Sequence, residues 1–248
     1  MPDPRLAPAA PYRPLTTRAG FASFCLAAVG VLHLYYFIEG GMTLWAVEAR
    51  AGRAEIPGEV LWLYEATYSW VNLGIALAYL GSVIAFWMWF YRAHKNLRAL
   101  GNEELEYKSR WAVFGFMVPI LNLVRPAQVM RETWYGSDPG LLSESPTFLH
   151  SKARRGTPAA VGWWWGSFLI MNISSRAEMA AAEHAEKPDA SPDVYQFYAW
   201  AVMISAVPTI LAALLAVRLV WTITRRQSQR HDLLEGRAAL PEPVQPQP

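Results

Sequence analysis

The chain has one cysteine, Cys25, so neither an intramolecular disulfide nor a cysteine metal site can form. Set inside an apolar run, Cys25 reads as a small buried or lipid-facing hydrophobe. Charge is scarce as well: 17% of residues carry it, the signs nearly balance, and the net is +2. No phosphate-binding glycine loop, nucleophile elbow, HExxH or CxxC occurs, and no pair of carboxylates lies within an apolar run. The common motif-marked enzyme classes are thereby removed, and no catalytic residue or metal site is nominated. Of five histidines only His33 falls inside an apolar run, whereas a bis-histidine haem needs two.

Apolar residues, by contrast, make up 53% of the chain, and there are 12 tryptophans. That balance is the signature of a polytopic, all-α membrane protein. Residues 1–18 hold five prolines and three arginines and read as a flexible tail. Four apolar runs, about 20–38, 66–91, 157–175 and 195–223, are near the ~20 residues needed to cross a bilayer. Between the first two, Gly40-Gly41 and Pro57 predict a loop with one short interfacial helix. After Ser175 the Ala-rich, acidic stretch predicts a helix running on beyond the membrane, Pro208 a kink in the last span, and residues 231–248 a disordered tail.

Trp111 to Val124 is only 14 residues long and is interrupted by Pro119, which predicts a re-entrant or interfacial hairpin rather than a span. Pro126 then opens an amphipathic helix over about 127–135, with Val129, Met130, Thr133 and Trp134 on one side. Charge placement supports this division of a membrane domain covering 19–230. With four spans, 17 Lys and Arg fall on the side of both termini against 4 on the other. Positive residues favour the cytoplasm, so both termini are expected there. A five-span arrangement would invert that bias over half of the protein.

The stretch WMWFYRAHKNLRALG, then Trp111, Gly115, Pro119 and Asn122 at W-x-x-x-G-x-x-x-P-x-x-N spacing, then Pro126, carries a resemblance. It is similar to the bacterial membrane family filed as domain of unknown function 4328. The resemblance covers roughly Gly20 to Ile223 and implies a multi-pass membrane protein; the bacterial inner membrane is the expected location. It brings no activity or catalytic residue with it.

Several residues are candidates for a role. His33 could hold haem or a chlorophyll-type pigment, although a hydrogen bond to a neighbouring helix suits a single imidazole better. Arg92, Lys95 and Arg98 could meet anionic lipid headgroups or an acidic partner, while Trp163, Trp164 and Trp165 suit an interface belt. Gly74 and Ala78, and Gly162 with Gly166, offer smooth faces for close helix packing. Asn122, with Asn72 and Asn172, could line a pore, and Arg218 could snorkel to the membrane surface. The expectation from these features is a non-catalytic accessory or scaffold subunit bound to other membrane proteins, with no nucleic-acid partner. The competing classes are a small-solute channel or transporter and a pigment- or haem-associated subunit.

Overall fold

Long apolar runs without strand-like alternation, and few interior breakers, dictate helices. In the computed structural model, residues 11–51, 58–102, 105–140, 156–187 and 189–238 are described. Among them are six α-helices: α1 (Thr16–Ala51), α2 (Gly58–Ala99), α3 (Trp111–Met117), α4 (Arg125–Gly136), α5 (Ala159–Ala185) and α6 (Pro192–Ala238). A 3-10 turn at Leu121–Leu123 lies between α3 and α4.

Three stretches, Thr16–Ala49, Trp70–Ala99 and Pro192–Gly236, are long and apolar enough to cross a membrane. The expected fourth, α5, is a 27-residue helix that is not among them. Its tryptophan triplet, Asn172 and Arg176 dilute its apolarity.

Several boundaries differ from expectation. The loop expected from Gly40 is helix as far as Ala51. Glycine disfavours a helix by only about 1 kcal/mol, and packing overrides that. Residues 11–15 are not a free tail, because Leu15 is buried and α1 starts at Thr16. At the other end α6 continues to Ala238, through residues expected to be disordered, and Pro208 sits inside it without ending it. Residues 1–10, the basic cluster Lys152, Arg154 and Arg155, and the final PEPVQPQP lie outside the described residues.

The chain divides into two compact units. The first holds Met1–Ala19, Trp87–Val161 and Leu219–Pro248; the second holds Gly20–Phe86 and Gly162–Arg218. In the second, α1 meets α2 where Cys25 Sγ lies 3.5 Å from the position a Cβ would take on Gly81. It meets α6 at Gly40, where a Cβ would stand 2.9 Å from the Ala199 carbonyl oxygen and 2.6 Å from Met203 Cγ. Only glycine permits that approach. Phe86 of α2 packs against Trp164 of α5, with ring centroids 5.7 Å apart.

Helix α6 carries an unbroken buried seam: Ala199, Val202, Ala206, Thr209, Ala213, Ala216, Val220, Ile223, Gln227 and Arg230. The steps alternate three and four, the heptad spacing that keeps one stripe facing its neighbours. Small side chains open the seam, and polar ones end it.

Candidate functional site

In the first unit the end of α2 is built as a polar core. Helix α2 stops because Gly101 takes φ +81°, letting the Asn102 amide donate back to the Leu97 carbonyl at 3.1 Å. Asn102 then uses its side-chain amide twice, on the carbonyls of Leu97 at 2.8 Å and Gly136 at 3.0 Å, which ties α2 to the end of α4. One turn earlier, Asn96 clamps the backbone of Arg13 from both sides. Its Nδ2 donates to the Arg13 carbonyl at 2.9 Å, and its Oδ1 accepts the Arg13 N–H at 3.3 Å. Asn96 also donates to Gln227 Oε1 at 3.1 Å. Gln227 Nε2 is shared between the Ala93 carbonyl and Ser137 Oγ, at 2.8 and 3.0 Å.

Arg230 completes the join, donating to the carbonyls of Leu100 and Asp138, both at 2.9 Å. Trp89 donates its indole N–H to Thr224 Oγ1 at 3.1 Å, and Arg92 donates to the Pro11 carbonyl at 3.0 Å. Tyr12 stacks on His231, centroids 4.1 Å apart. One short stretch of α2 thus holds the residues before α1, the end of α4 and the end of α6. Because burial strengthens hydrogen bonds and penalises any left unmade, the whole set is specified together.

His94 is fully buried at the centre of this unit. Its Nε2 lies 2.8 Å from Glu132 Oε2, and its Nδ1 lies 3.1 Å from Ser109 Oγ. Glu132 also accepts the backbone N–H groups of Glu106 and Tyr107. The line Ser109–His94–Glu132 joins α2, α4 and the loop before α3, with the imidazole fully enclosed. Beside it, burial and the hydrogen bond to the Glu106 carboxylate push the Tyr107 hydroxyl up to about 12.

The hairpin grows from the same loop. The Arg125 guanidinium lies over Tyr107 at 4.8 Å and over Trp111 at 5.4 Å. A Cβ on Gly115 would come within 3.2 Å of Arg125 Cγ, so the absent side chain lets α3 close on the start of α4. Pro119 sits in the turn, and Asn122 follows in the 3-10 turn. The tip exposes Phe114, Met117, Val118, Ile120, Leu123 and Val124. This is a helical hairpin with an apolar tip, and its first helix, α3, is 7 residues long.

The second unit holds a smaller polar cluster. His33 donates from Nδ1 to the Val29 carbonyl at 2.8 Å and faces the Tyr79 hydroxyl with Nε2 at 3.4 Å. Tyr36 donates to Asn72. Near the end of α5, Ser205 donates to Glu178, and burial pushes the Glu178 carboxyl above its usual range with the serine partly offsetting this.

The family model described as Domain of unknown function (DUF4328) matches residues 53–225. The chain belongs to that family. No curated protein and no solved structure matches it. Within the DUF4328 match lie the α2 exit, the hairpin, and Tyr79 and Glu178; His33, Arg13, Gln227 and Arg230 fall outside it.

Against that geometry the expected residues separate. Arg92 is buried, whereas Lys95 and Arg98 are exposed. Trp163 is exposed, while Trp164 and Trp165 are buried, and Trp165 stacks on Phe168. Among the described residues Gly74, Gly162 and Gly166 meet no neighbour where a Cβ would stand, and the close contacts fall at Gly40, Gly115 and Gly136. Ala78 is half-buried and Arg218 exposed. Asn72 serves Tyr36, Asn172 donates to its own helix at Phe168, and Asn122 belongs to the hairpin. Both nitrogens of His33 face protein groups, an arrangement suited to joining α1 and α2.

Asn96, Glu132, Gln227 and Arg230 carry the polar core and were not singled out by sequence. The signal that finds Gln227 and Arg230 is the heptad seam continued past the apolar run.

Proposed function

We propose that this member of the family is a non-catalytic scaffold subunit of a membrane complex, held by four spans in the bacterial inner membrane with both termini cytoplasmic. The carrying observation is the face of α5 along Trp163, Gly166, Ile170 and Ile173. These residues follow a three-four-three heptad spacing like the buried seam of α6, yet Trp163, Ile170 and Ile173 are 70%, 58% and 71% exposed. Lipid tails do not require glycine, whereas a second helix backbone drawing close does. Gly162 and Gly166 have open space where a Cβ would project, among the described residues. In this reading they receive a helix of another subunit.

The test is native extraction into lipid nanodiscs, followed by mass measurement. A defined membrane-protein partner is expected with the wild-type chain and is lost in Gly162→Ile/Gly166→Ile, while the chain's own melting is unchanged. A wild-type chain that is extracted alone and monomeric overturns the proposal.

The second reading, a solute-handling protein, rests on buried His33 and Ser205 with half-buried Tyr79 and Glu178, since ionisable groups among apolar helices are costly and often functional. Its test is flux in liposomes that disappears in Glu178→Gln.

A further inference from the structure

The first unit contains three arginines with no counter-ion among the described residues. Arg92 is 8% exposed, yet among the described residues one of its five N–H donors is used, on the Pro11 carbonyl, and Nε is buried without an acceptor there. The formal charges that act on it are those of Arg13 and Arg18, both repulsive, and none of the three is in an ion pair among the described residues. Burying a guanidinium without an anion is unfavourable, and gathering two more beside it adds to that.

The chain segment that gathers them is fixed. Arg13 is clamped by Asn96 through its backbone, which leaves its side chain exposed, and Leu15 is fully buried. Arg18 follows in the opening turn of α1. In that turn the N–H groups of Thr16 and Thr17 precede the first helical donor, since the Ala19 N–H is the one that bonds back to the Leu15 carbonyl. Both threonines are exposed. Arg13 and Arg18 thus lie near enough to Arg92 to act on its charge, at the positive end of a 36-residue helix whose first turn also carries the two threonines.

We propose that Arg13, Arg18 and Arg92, with Thr16 and Thr17, bind one phosphate group, supplied by the headgroup of an anionic phospholipid. The lipid is favoured as the source because the apolar stretch Thr16–Ala49 starts in this same turn, which sets the site at the membrane boundary. Guanidinium groups suit phosphate because their forked donors match two oxygens at once. Lys95 and Arg98 are not part of the site. The inference is independent of the scaffold reading, since it needs no protein partner.

The experiment uses the full-length chain in detergent and measures retained lipid by native mass spectrometry, together with melting temperature. Added lipids are phosphatidylglycerol or phosphatidylcholine, and a third arm has inorganic phosphate alone. Phosphatidylglycerol is expected to be retained and to raise the melting temperature of the wild-type chain. In Arg13→Gln/Arg18→Gln its affinity is expected to fall on the order of tenfold, whereas Lys95→Gln/Arg98→Gln, which loses the same charge, stays within about twofold. Without lipid, the first double variant is expected to melt at or above wild type, because like charges have been removed. An equal loss in both double variants overturns the site in favour of a diffuse positive surface, and no loss in either overturns it outright. Protection by inorganic phosphate as strong as that by phosphatidylglycerol, and lost only in Arg13→Gln/Arg18→Gln, overturns the lipid as the source and upholds the phosphate chemistry.

Discussion

The two units solve the same packing problem by opposite means. In the first, helix ends are held by side-chain amides, a guanidinium and an imidazole whose hydrogen bonds are spent on backbone carbonyls and on each other. In the second, helices are held by missing atoms: Gly40 lets α6 approach, and Ala199, Ala206, Ala213 and Ala216 keep the α6 seam narrow. The physical setting explains the difference. Helix ends leave carbonyls that need donors, so the end of a bundle is where polar side chains are most useful. Mid-helix carbonyls are already bonded, and there van der Waals contact is what remains to be gained.

The comparison is broken most severely at His94. Its replacement by alanine leaves Glu132 buried with only the backbone N–H groups of Glu106 and Tyr107, and opens a cavity under α4. The expected loss is about 3 kcal/mol, read as a lower denaturant midpoint in detergent. An unchanged midpoint would mean that the first unit does not depend on its polar core.

The next largest effect is expected in the second unit. Gly40→Ala places a methyl 2.9 Å from the Ala199 carbonyl oxygen, a backbone atom that cannot swing aside, so about 1–3 kcal/mol should be lost. The matching control is Gly74→Ala, which meets open space and should be neutral, or stabilising by up to about 1 kcal/mol through helix propensity. Thermal melts of the two variants side by side check this, and equal losses would contradict the assignment of the packed face.

These contrasts also show what could be read from the residues alone. The helical class, the extension of α5 past Ser175 and the hairpin at Pro119 were legible, because apolar run length and proline placement act locally. Family membership was legible because Trp111, Gly115, Pro119, Asn122 and Pro126 have fixed spacing, and the structure gives that spacing a cause in the closing of α3 onto Arg125. The seating of Gly40 was not legible. A glycine pair reads as a break unless the partner helix is known, and that partner, α6, lies more than 150 residues away. The burial of Arg92, His94 and Asn96 was hidden for a related reason: polarity patterns treat a charged or amide side chain as solvent-facing, and only tertiary partners such as Pro11, Glu132 and Gln227 reverse that.

The smallest expected effect sharpens the comparison at a place where the second unit does use an acidic group. The Glu178 carboxyl is raised above its ordinary value of 4.5 by burial, so the folded chain holds this proton more tightly than the unfolded chain does. Protonation therefore favours the fold: the contribution is fully present below about 4.5 and is lost as pH rises through the folded-state value. The variant Glu178→Gln, which keeps a neutral partner for Ser205, isolates the contribution of this one carboxyl. Wild type should lose more melting temperature than Glu178→Gln between about pH 4.5 and pH 8, by a few degrees. If the two chains lose the same amount, the carboxylate is accommodated as readily as the acid, and the second unit then tolerates charge in the way that the first does.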